Sequence, residues 1–404
     1  MKFAHMADCH IGSWRDPKLK EISTEAFIRA IDMSVQEKVD FILISGDLFN
    51  TPLPSMDTLK KTVVKLKELK DLGIPLYLIA GSHDYSPSGK TMLDVLEGAG
   101  LVRNVLKGTS EDGKLKLNFT VDEKTGAKIT GLLGKRLGLE KTYYENLMRD
   151  HLEQEEGYKI FLFHSGIDEI KSKNMEKVIT NPLSLLPKNF NYYAGGHIHE
   201  VSQNEMEGYG KVVFPGPLFP NNFKELEDLG GGGFFIVENN EPKFQSIQVY
   251  NTHSIKLDCN HKNPQQVYDE VIDNLKDQEF NNTIVTIRLF GTLSSGKGSD
   301  IDFKRIYDYL YNKSAYFVMK NTSALTSEEF EQISLSTDSI DDVEDSIIKE
   351  HLGQIKIDDL KPNQEAELVK NLMESLKDTR EEGERVTDFE DRISKDISKI
   401  LKID

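Results

Sequence analysis

Seven side chains at five places in the first half of the chain are of the types that hold metal ions: Asp8, His10, Asp47, Ser82, His164, His197 and His199. They stand in Asp8-Cys9-His10, Gly46-Asp47, Gly81-Ser82-His83-Asp84, Phe163-His164-Ser165 and Gly196-His197-Ile198-His199. A carboxylate can bridge two ions while imidazoles and further oxygens complete each shell, and mixed oxygen and nitrogen ligation suits Mn, Fe or Zn better than Ca or Mg. Two divalent ions about 4 Å apart activate a water and clamp the attacking and leaving oxygens of a phosphoester. A lone Asp-X-His is more often a polar pair at a strand end. Five such places in this order are not explained that way.

Residues so far apart in sequence need a scaffold that gathers them. Four of the places follow apolar runs, at residues 2–7, 41–45, 76–80 and 160–163, and the fifth follows Tyr192-Tyr193-Ala194-Gly195. Short apolar runs ending in Gly, Asp or His read as buried strands delivering loops to one sheet edge. Cys9 lies between two ligands, but strand alternation turns it to the opposite face, into the core. Residues 24–35, 56–72 and 91–96 read as helices, the second with Leu59, Val63, Leu66 and Leu69 at helical spacing and a stop at Gly73-Ile74-Pro75. Residues 115–121 and 128–133 read as a hairpin about Thr125-Gly126. Gly230–Gly233 lacks a following Lys-Ser/Thr and is no phosphate loop; it leads into a terminal strand at 234–237. Residues 1–250 thus alternate strands and helices as a layered α/β sandwich with helices outside.

The order DxH, GD, G(N)HD, H, GHxH resembles the calcineurin-like metallophosphoesterase signature. Asp8-Cys9-His10-Ile11-Gly12, Gly46-Asp47-Leu48-Phe49, Gly195-Gly196-His197-Ile198-His199 and Phe214-Pro215-Gly216-Pro217 are similar to the nuclease subunit of the double-strand-break repair complex, the meiotic-recombination-eleven/SbcD family, in its archaeal form. The motifs cover residues 1–250; beyond that the resemblance rests on layout. It implies that Asp8, His10, Asp47 and His199 hold one metal, and that Asp47 bridges to a second held by His164, His197 and Ser82. His83 would protonate the leaving oxygen, oriented by Asp84. The implied activity is manganese-dependent exo- and endonucleolytic cleavage of DNA at double-strand ends and hairpins.

Two positions depart from the family pattern. Ser82 stands where Asn is usual, and its shorter hydroxyl is a weaker donor to the second metal. Asn50 stands where many members carry His, and it cannot carry a proton. Both bear on rate rather than fold.

The resemblance also implies partners. A homodimer would form through Leu59, Val63 and Leu66 on one helix and Met92, Val95 and Leu96 on the next. Residues 251–326 read as strand, helix, strand, helix, strand, a small α+β domain similar to the family's DNA-gripping cap. Residues 327–404 are helical and acidic, with stripes at Ile340, Val343, Ile347, Ile348 and Leu352, at Leu368, Val369, Leu372, Met373 and Leu376, and at Val386, Phe389, Ile393, Ile397, Ile400 and Leu401. Such stripes need another surface to bury them, and the resemblance supplies one: the coiled-coil base of the Rad-fifty/SbcC type ATPase.

Composition sets the outer bounds. At 404 residues with a net charge of −17, the chain looks ill-suited to nucleic acid. Residues 338–404 alone carry 20 acids against 11 lysines and arginines, so the rest needs only a local basic patch. Two cysteines suit a reducing compartment. With no apolar run of membrane-spanning length and no signal-peptide pattern, the expected place is cytoplasmic, or nucleoid-associated in a prokaryote. Two rival readings stand beside the nuclease: a small-molecule phosphodiesterase or phosphatase, which would need neither cap nor tail, and a scaffold subunit weakened by Ser82 and Asn50.

Overall fold

In the computed structural model, residues 1–86, 91–172, 178–328, 362–378, 384 and 386–401 are described. The chain divides into two compact units: residues 1–254 with 279–286 and 311–319, and residues 255–278 with 287–310 and 320–404.

The first unit is built on two six-stranded sheets. One runs in the order Glu241–Ile247, Gly232–Glu238, Lys2–Met6, Phe41–Ser45, Leu76–Ile79, Arg103–Asn104. The other runs Ser202–Glu205, Lys211–Phe214, Tyr192–Gly196, Lys159–His164, Lys128–Leu132, Thr120–Val121. The strands that end at the five motifs pair in parallel with their neighbours, so their carboxyl ends share an edge. Period-two alternation sorts their side chains into layers. Phe3, Phe41, Leu43, Tyr77, Ile79, Ile160, Leu162 and Tyr192 fill the space between the sheets. Ala4, Met6, Ile42, Ile44 and Leu78 face the other way, under helices that contribute Ile22, Phe27, Ile31, Leu66, Leu69, Leu93 and Leu96. Phe161, Phe163, Tyr193, Val212 and Phe214 form a third core with Leu152, Leu183, Leu186 and Phe190. The layers are therefore helix, sheet, sheet, helix and loop. Cys9 is buried in the core as expected, but on the helix side with Ala4 and Met6; the strand ends at Met6, and the left-handed turns at Asp8 and His10 rather than strand alternation set its direction.

Several local expectations are corrected. The first helix starts earlier, at Pro17, because Asp16 caps it by accepting from Lys18 N and Pro17 suits its first turn. Residues 115–121 do not form one hairpin arm. Lys114–Leu117 pairs instead with Gly108–Glu111 across Asp112-Gly113, both at positive φ, a turn that favours two-residue hairpins. Only Thr120–Val121 pairs with Lys128–Ile129. The strand over 234–237 is not terminal, since Asn239-Asn240, at φ 53° and 65°, turns it back into Glu241–Ile247.

The expected dimer face is also out of phase. Leu66 and Leu96 are sealed in the protein's own core, while Leu59, Val63 and Met92 are half-buried against it. Helix Met56–Asp71 spends Thr58 and Thr62 on the core with Leu66 and Leu69, the Thr62 hydroxyl bonding back to Thr58 O. Its exposed apolar residues are Met56 and Val64, and on the next helix Val95.

In the second unit, helix Pro264–Leu275 opens with an Asn263–Gln266 capping box and buries Val267, Val271 and Leu275. Helix Phe303–Asn312 buries Phe303, Ile306 and Leu310. A three-stranded sheet pairs Asn251–Asp258, Thr283–Leu293 and Phe317–Ser327, of which residues 255–258, 287–293 and 320–327 belong to this unit. Helices Pro362–Leu376 and Val386–Leu401 pack on each other, joined by Arg392, which donates to Asp378 at 2.6 Å and Glu384 at 3.0 Å. Leu368 and Leu372 are half-buried there and Leu376 is exposed. Ile340, Val343, Ile347, Ile348 and Leu352 lie outside the described residues. No described helix is long and apolar enough to cross a membrane.

The space between the sheets is the load on which the site rests. Leu162→Ala, at a fully buried position there, should cost about 2–5 kcal/mol in urea unfolding with an unchanged m-value. A loss under about 1 kcal/mol would show that the sheets do not depend on this packing.

Candidate metal centre

Asp8 and His10 follow strand Lys2–Met6, Asp47 follows Phe41–Ser45, and Ser82 to Asp84 follow Leu76–Ile79. His164 ends strand Lys159–His164, and His197 and His199 follow Tyr192–Gly196, so the second sheet meets the first at this edge. The loops leave the strands by sharp turns. Asp8, His10, Asp47 and His197 sit at φ 49°, 40°, 54° and 82°, a left-handed region where Asp and His are tolerated better than most residues. Such strain clusters at functional sites, at about 1–3 kcal/mol each. Gly46, at φ 88°, has no room for a side chain: a Cβ there would stand 2.3 Å from His164 Nδ1.

The loops are tied by backbone groups. Asp8 N donates to Gly46 O (3.1 Å), His10 N to Asp47 O (2.9 Å) and His83 N to Asp47 Oδ1 (2.7 Å). Asp8 accepts from His197 N at both oxygens, 3.1 and 3.0 Å. Three sets of ligand atoms then fall within 4.8 Å of one another: Asp8, His10 and His199; His10, Asp47 and His83; Asp8, Asp47 and His164. The Ser82 hydroxyl points at Asp47 Oδ2 from 3.5 Å. The His197 ring lies 5.2 Å from that of His164 and belongs to none of the three sets.

The donor set fits cations. His164 Nδ1–H donates to Ser45 O at 2.8 Å, which leaves Nε2 buried, without a hydrogen-bond partner, and 3.3 Å from Asp47 Oδ2. His10 Nε2 and His199 Nε2 face each other at 3.4 Å, with Asp8 Oδ1 3.7 Å from His199 Nε2. Lone pairs held this close call for a proton or a metal ion between them. Burial opposes charge on His164, yet Asp47 beside it drives its pKa up to about 9. Burial likewise opposes charge on His199, but hydrogen bonds to Asp8 and Glu225 drive its pKa up to about 10. His10 and His197, chiefly through burial, fall to about 4.

Two placements differ from the sequence reading. Asp84 does not orient His83. Its carboxylate accepts from Leu48 N, Phe49 N and Gly81 N at 3.0–3.1 Å, clamping the Asp47 loop to the His83 loop, while burial and the nearby Asp47 charge push its pKa up to about 6. His83 Nδ1 lies 2.9 Å from the carbonyl of Asn50. Asn50 thus acts through its backbone, which any residue there would supply.

The sequence reading missed Glu225. Its Oε1 stands 3.0 Å from His199 Nδ1 and takes a bond from Asn222 Nδ2, while Oε2 accepts from Asn221 N. A carboxylate behind a metal-binding imidazole fixes its ring and tautomer and raises its basicity. Asn222-x-x-Glu225 signals only a helix start; nothing local points to a histidine 26 residues away. Beneath the site, His5 bridges Tyr192 Oη (2.9 Å) and Ser45 Oγ (3.0 Å) between the sheets, and burial lowers its pKa to about 3, keeping it neutral.

Metal loading should release protons. His164 and His199 are protonated at pH 7 and must be neutral to ligate, so Mn affinity should rise with pH toward about 9–10 and level off above. Calorimetry at pH 7 in buffers of different ionisation enthalpy should report net proton release. None released would contradict these charge states. Glu225→Gln should weaken binding about 10–100-fold with the fold intact, read by chelator competition. Unchanged affinity would reduce Glu225 to a helix cap.

The calcineurin-like phosphoesterase family profile matches residues 1–201. The DNA double-strand break repair protein Mre11 of Archaeoglobus fulgidus is 26% identical over 278 residues, 64% of this chain and 62% of that protein. The protein of the same name from Methanococcus maripaludis is 27% identical over 367 residues, 86% of this chain and 91% of the relative. That of Sulfurisphaera tokodaii is 31% identical over 256 residues, 61% and 62% of the two chains. The chain thus spans just under two thirds of the first and third relatives and most of the second. Five motifs in order, their convergence at one sheet edge and the family profile agree: residues 1–201 form a calcineurin-like phosphoesterase domain, and the chain is similar to the archaeal Mre11 proteins.

Proposed function

We propose that this protein is a DNA nuclease that hydrolyses phosphodiesters with two divalent ions, manganese in the first instance, and acts at double-strand ends and hairpins. The observation that carries the reading is the gathering of Asp8, His10, Asp47, His164 and His199 around a buried edge with His83 at its side. The relatives' names supply the substrate. Two ions held there would activate a water and shield the phosphate charge. Asp8, His10 and His199 would hold one, and His164, with Ser82 and His197 near it, the other, Asp47 serving both. With Nδ1 engaged by Asn50 O, His83 turns Nε2 to the substrate as the donor of a proton to the departing 3′ oxygen. Glu225 keeps His199 in place, and Asp84 keeps the two loops in register.

A coiled-coil ATPase of the Rad-fifty/SbcC type and a second copy of the chain complete the reading. The exposed Met56, Val64 and Val95 are the apolar residues open to the second copy. The 3.5 Å separation of Ser82 Oγ from Asp47 favours one second reading, a subunit that binds its outer ion loosely and serves mainly as scaffold.

Incubation with Mn on labelled duplex and hairpin DNA, with and without chelator, separates the two. The nuclease reading predicts Mn-dependent, chelator-sensitive cleavage, and His83→Ala should slow it about 10²–10⁴-fold without lowering metal stoichiometry. Cleavage by the His83 variant at the parent's rate would remove His83 from the chemistry. No cleavage by the parent at saturating Mn would leave the scaffold reading.

A further inference from the structure

A nucleic acid presents several phosphates, and the metal centre engages only the scissile one. The protein is strongly acidic, and many lysines of the first unit are neutralised by carboxylates, as in Lys65 with Asp32 and Lys124 with Asp40. Lys135 differs. Its Nζ donates to Tyr143 Oη at 2.7 Å and stands 4.4 Å from the Tyr143 ring centre and 5.0 Å from that of Tyr85. Among the described residues, no ion pair to a carboxylate is found for it. Its backbone N–H is held by Glu140, which fixes the loop rather than the ammonium. Aromatic faces attract an ammonium without cancelling its charge, and the Tyr143 bond raises its pKa.

The place of this cation matters as much as its charge. Gly134, one residue before it, packs so tightly on His164 that a Cβ would meet the ring at 2.4 Å, and its N–H donates to Ala80 O. Tyr85 follows Asp84 directly and donates its N–H to Gly81 O. Consecutive Cα atoms are about 3.8 Å apart, so Lys135 and Tyr85 stand beside the metal centre, next to the His164 and His83 loops. Both tyrosines are half-buried, which holds the rings while leaving part of each to solvent.

We propose that Lys135, held between Tyr85 and Tyr143, is a subsite for the phosphodiester next to the scissile one on a nucleic acid strand, with the tyrosine rings offering a surface to its base. This rests on the nuclease reading and adds a substrate contact to it. Lys135 binds and does not take part in bond cleavage. A substrate with one phosphate has no group to place there.

The test uses the full chain with Mn, a single-stranded oligothymidylate, and bis(p-nitrophenyl) phosphate as the one-phosphate reference. Lys135→Gln should raise the oligonucleotide KM about tenfold with little change in kcat, and reduce the dependence of log KM on log salt by about 0.7. The effect on the ester's KM should be smaller by about fivefold or more. Lys135→Arg should restore most of the oligonucleotide affinity, and Tyr143→Phe, which keeps the ring, should fall between. An equal KM change on both substrates, or an unaltered oligonucleotide KM and salt slope, would overturn the subsite. A parent that hydrolyses the ester but leaves every oligonucleotide intact would instead overturn the nuclease reading, and the subsite with it.

Discussion

The carboxylate of Asp47 is a negative charge in a place where water scarcely reaches, 2% exposed at the junction of the two sheets. Burial alone would drive it to its neutral form, but His164, then His10 and His83, hold its pKa well below the usual carboxylate range. Such a group persists only if cations are supplied around it. Protons on histidines can do this, and so can divalent ions, which compete for the same lone pairs. The demand for positive charge at this point explains why imidazoles from four separate loops turn inward.

The rest of the architecture serves that demand. Parallel pairing of the motif-bearing strands brings their carboxyl ends to a common edge, the usual location of sites in open α/β sheets. Left-handed turns at Asp8, His10, Asp47 and His197 let side chains double back over the strand ends. The strain is offset by bonds that leave little slack, three backbone N–H groups on Asp84 and the His83 N–H on Asp47. Asp84 and Glu225 therefore work alike on different loops: each fixes a group that faces the candidate metal centre without facing it itself.

Much of this was legible in the sequence because metal chemistry restricts residue type and fully buried strands restrict pattern. Phe3 and His5 against Ala4 and Met6 already imply two faces, and the motifs mark where each strand stops. What the sequence reading missed has physical causes. Thr58 and Thr62 are buried where an apolar rule expects solvent, which shifted the phase of the second helix and misplaced Leu66. Asp112-Gly113, a strong hairpin signal, outcompetes Thr125-Gly126 for strand Lys114–Leu117. The resemblance implied that Asp84 orients His83, but the turn points the two side chains to different partners. The contact of Glu225 with His199 exists only once the sheets have formed.

The most direct measurement of the account is the number of ions that Asp47 commands. Asp47→Asn retains the oxygen that accepts from His83 N–H and removes the charge, so the fold should hold by circular dichroism. Titration of Mn followed by electron paramagnetic resonance of the free ion should show two ions on the parent chain and, on the variant, neither bound with the parent's affinity. Two ions bound by Asp47→Asn at the parent's midpoint would contradict the claim that this one carboxylate unites the site.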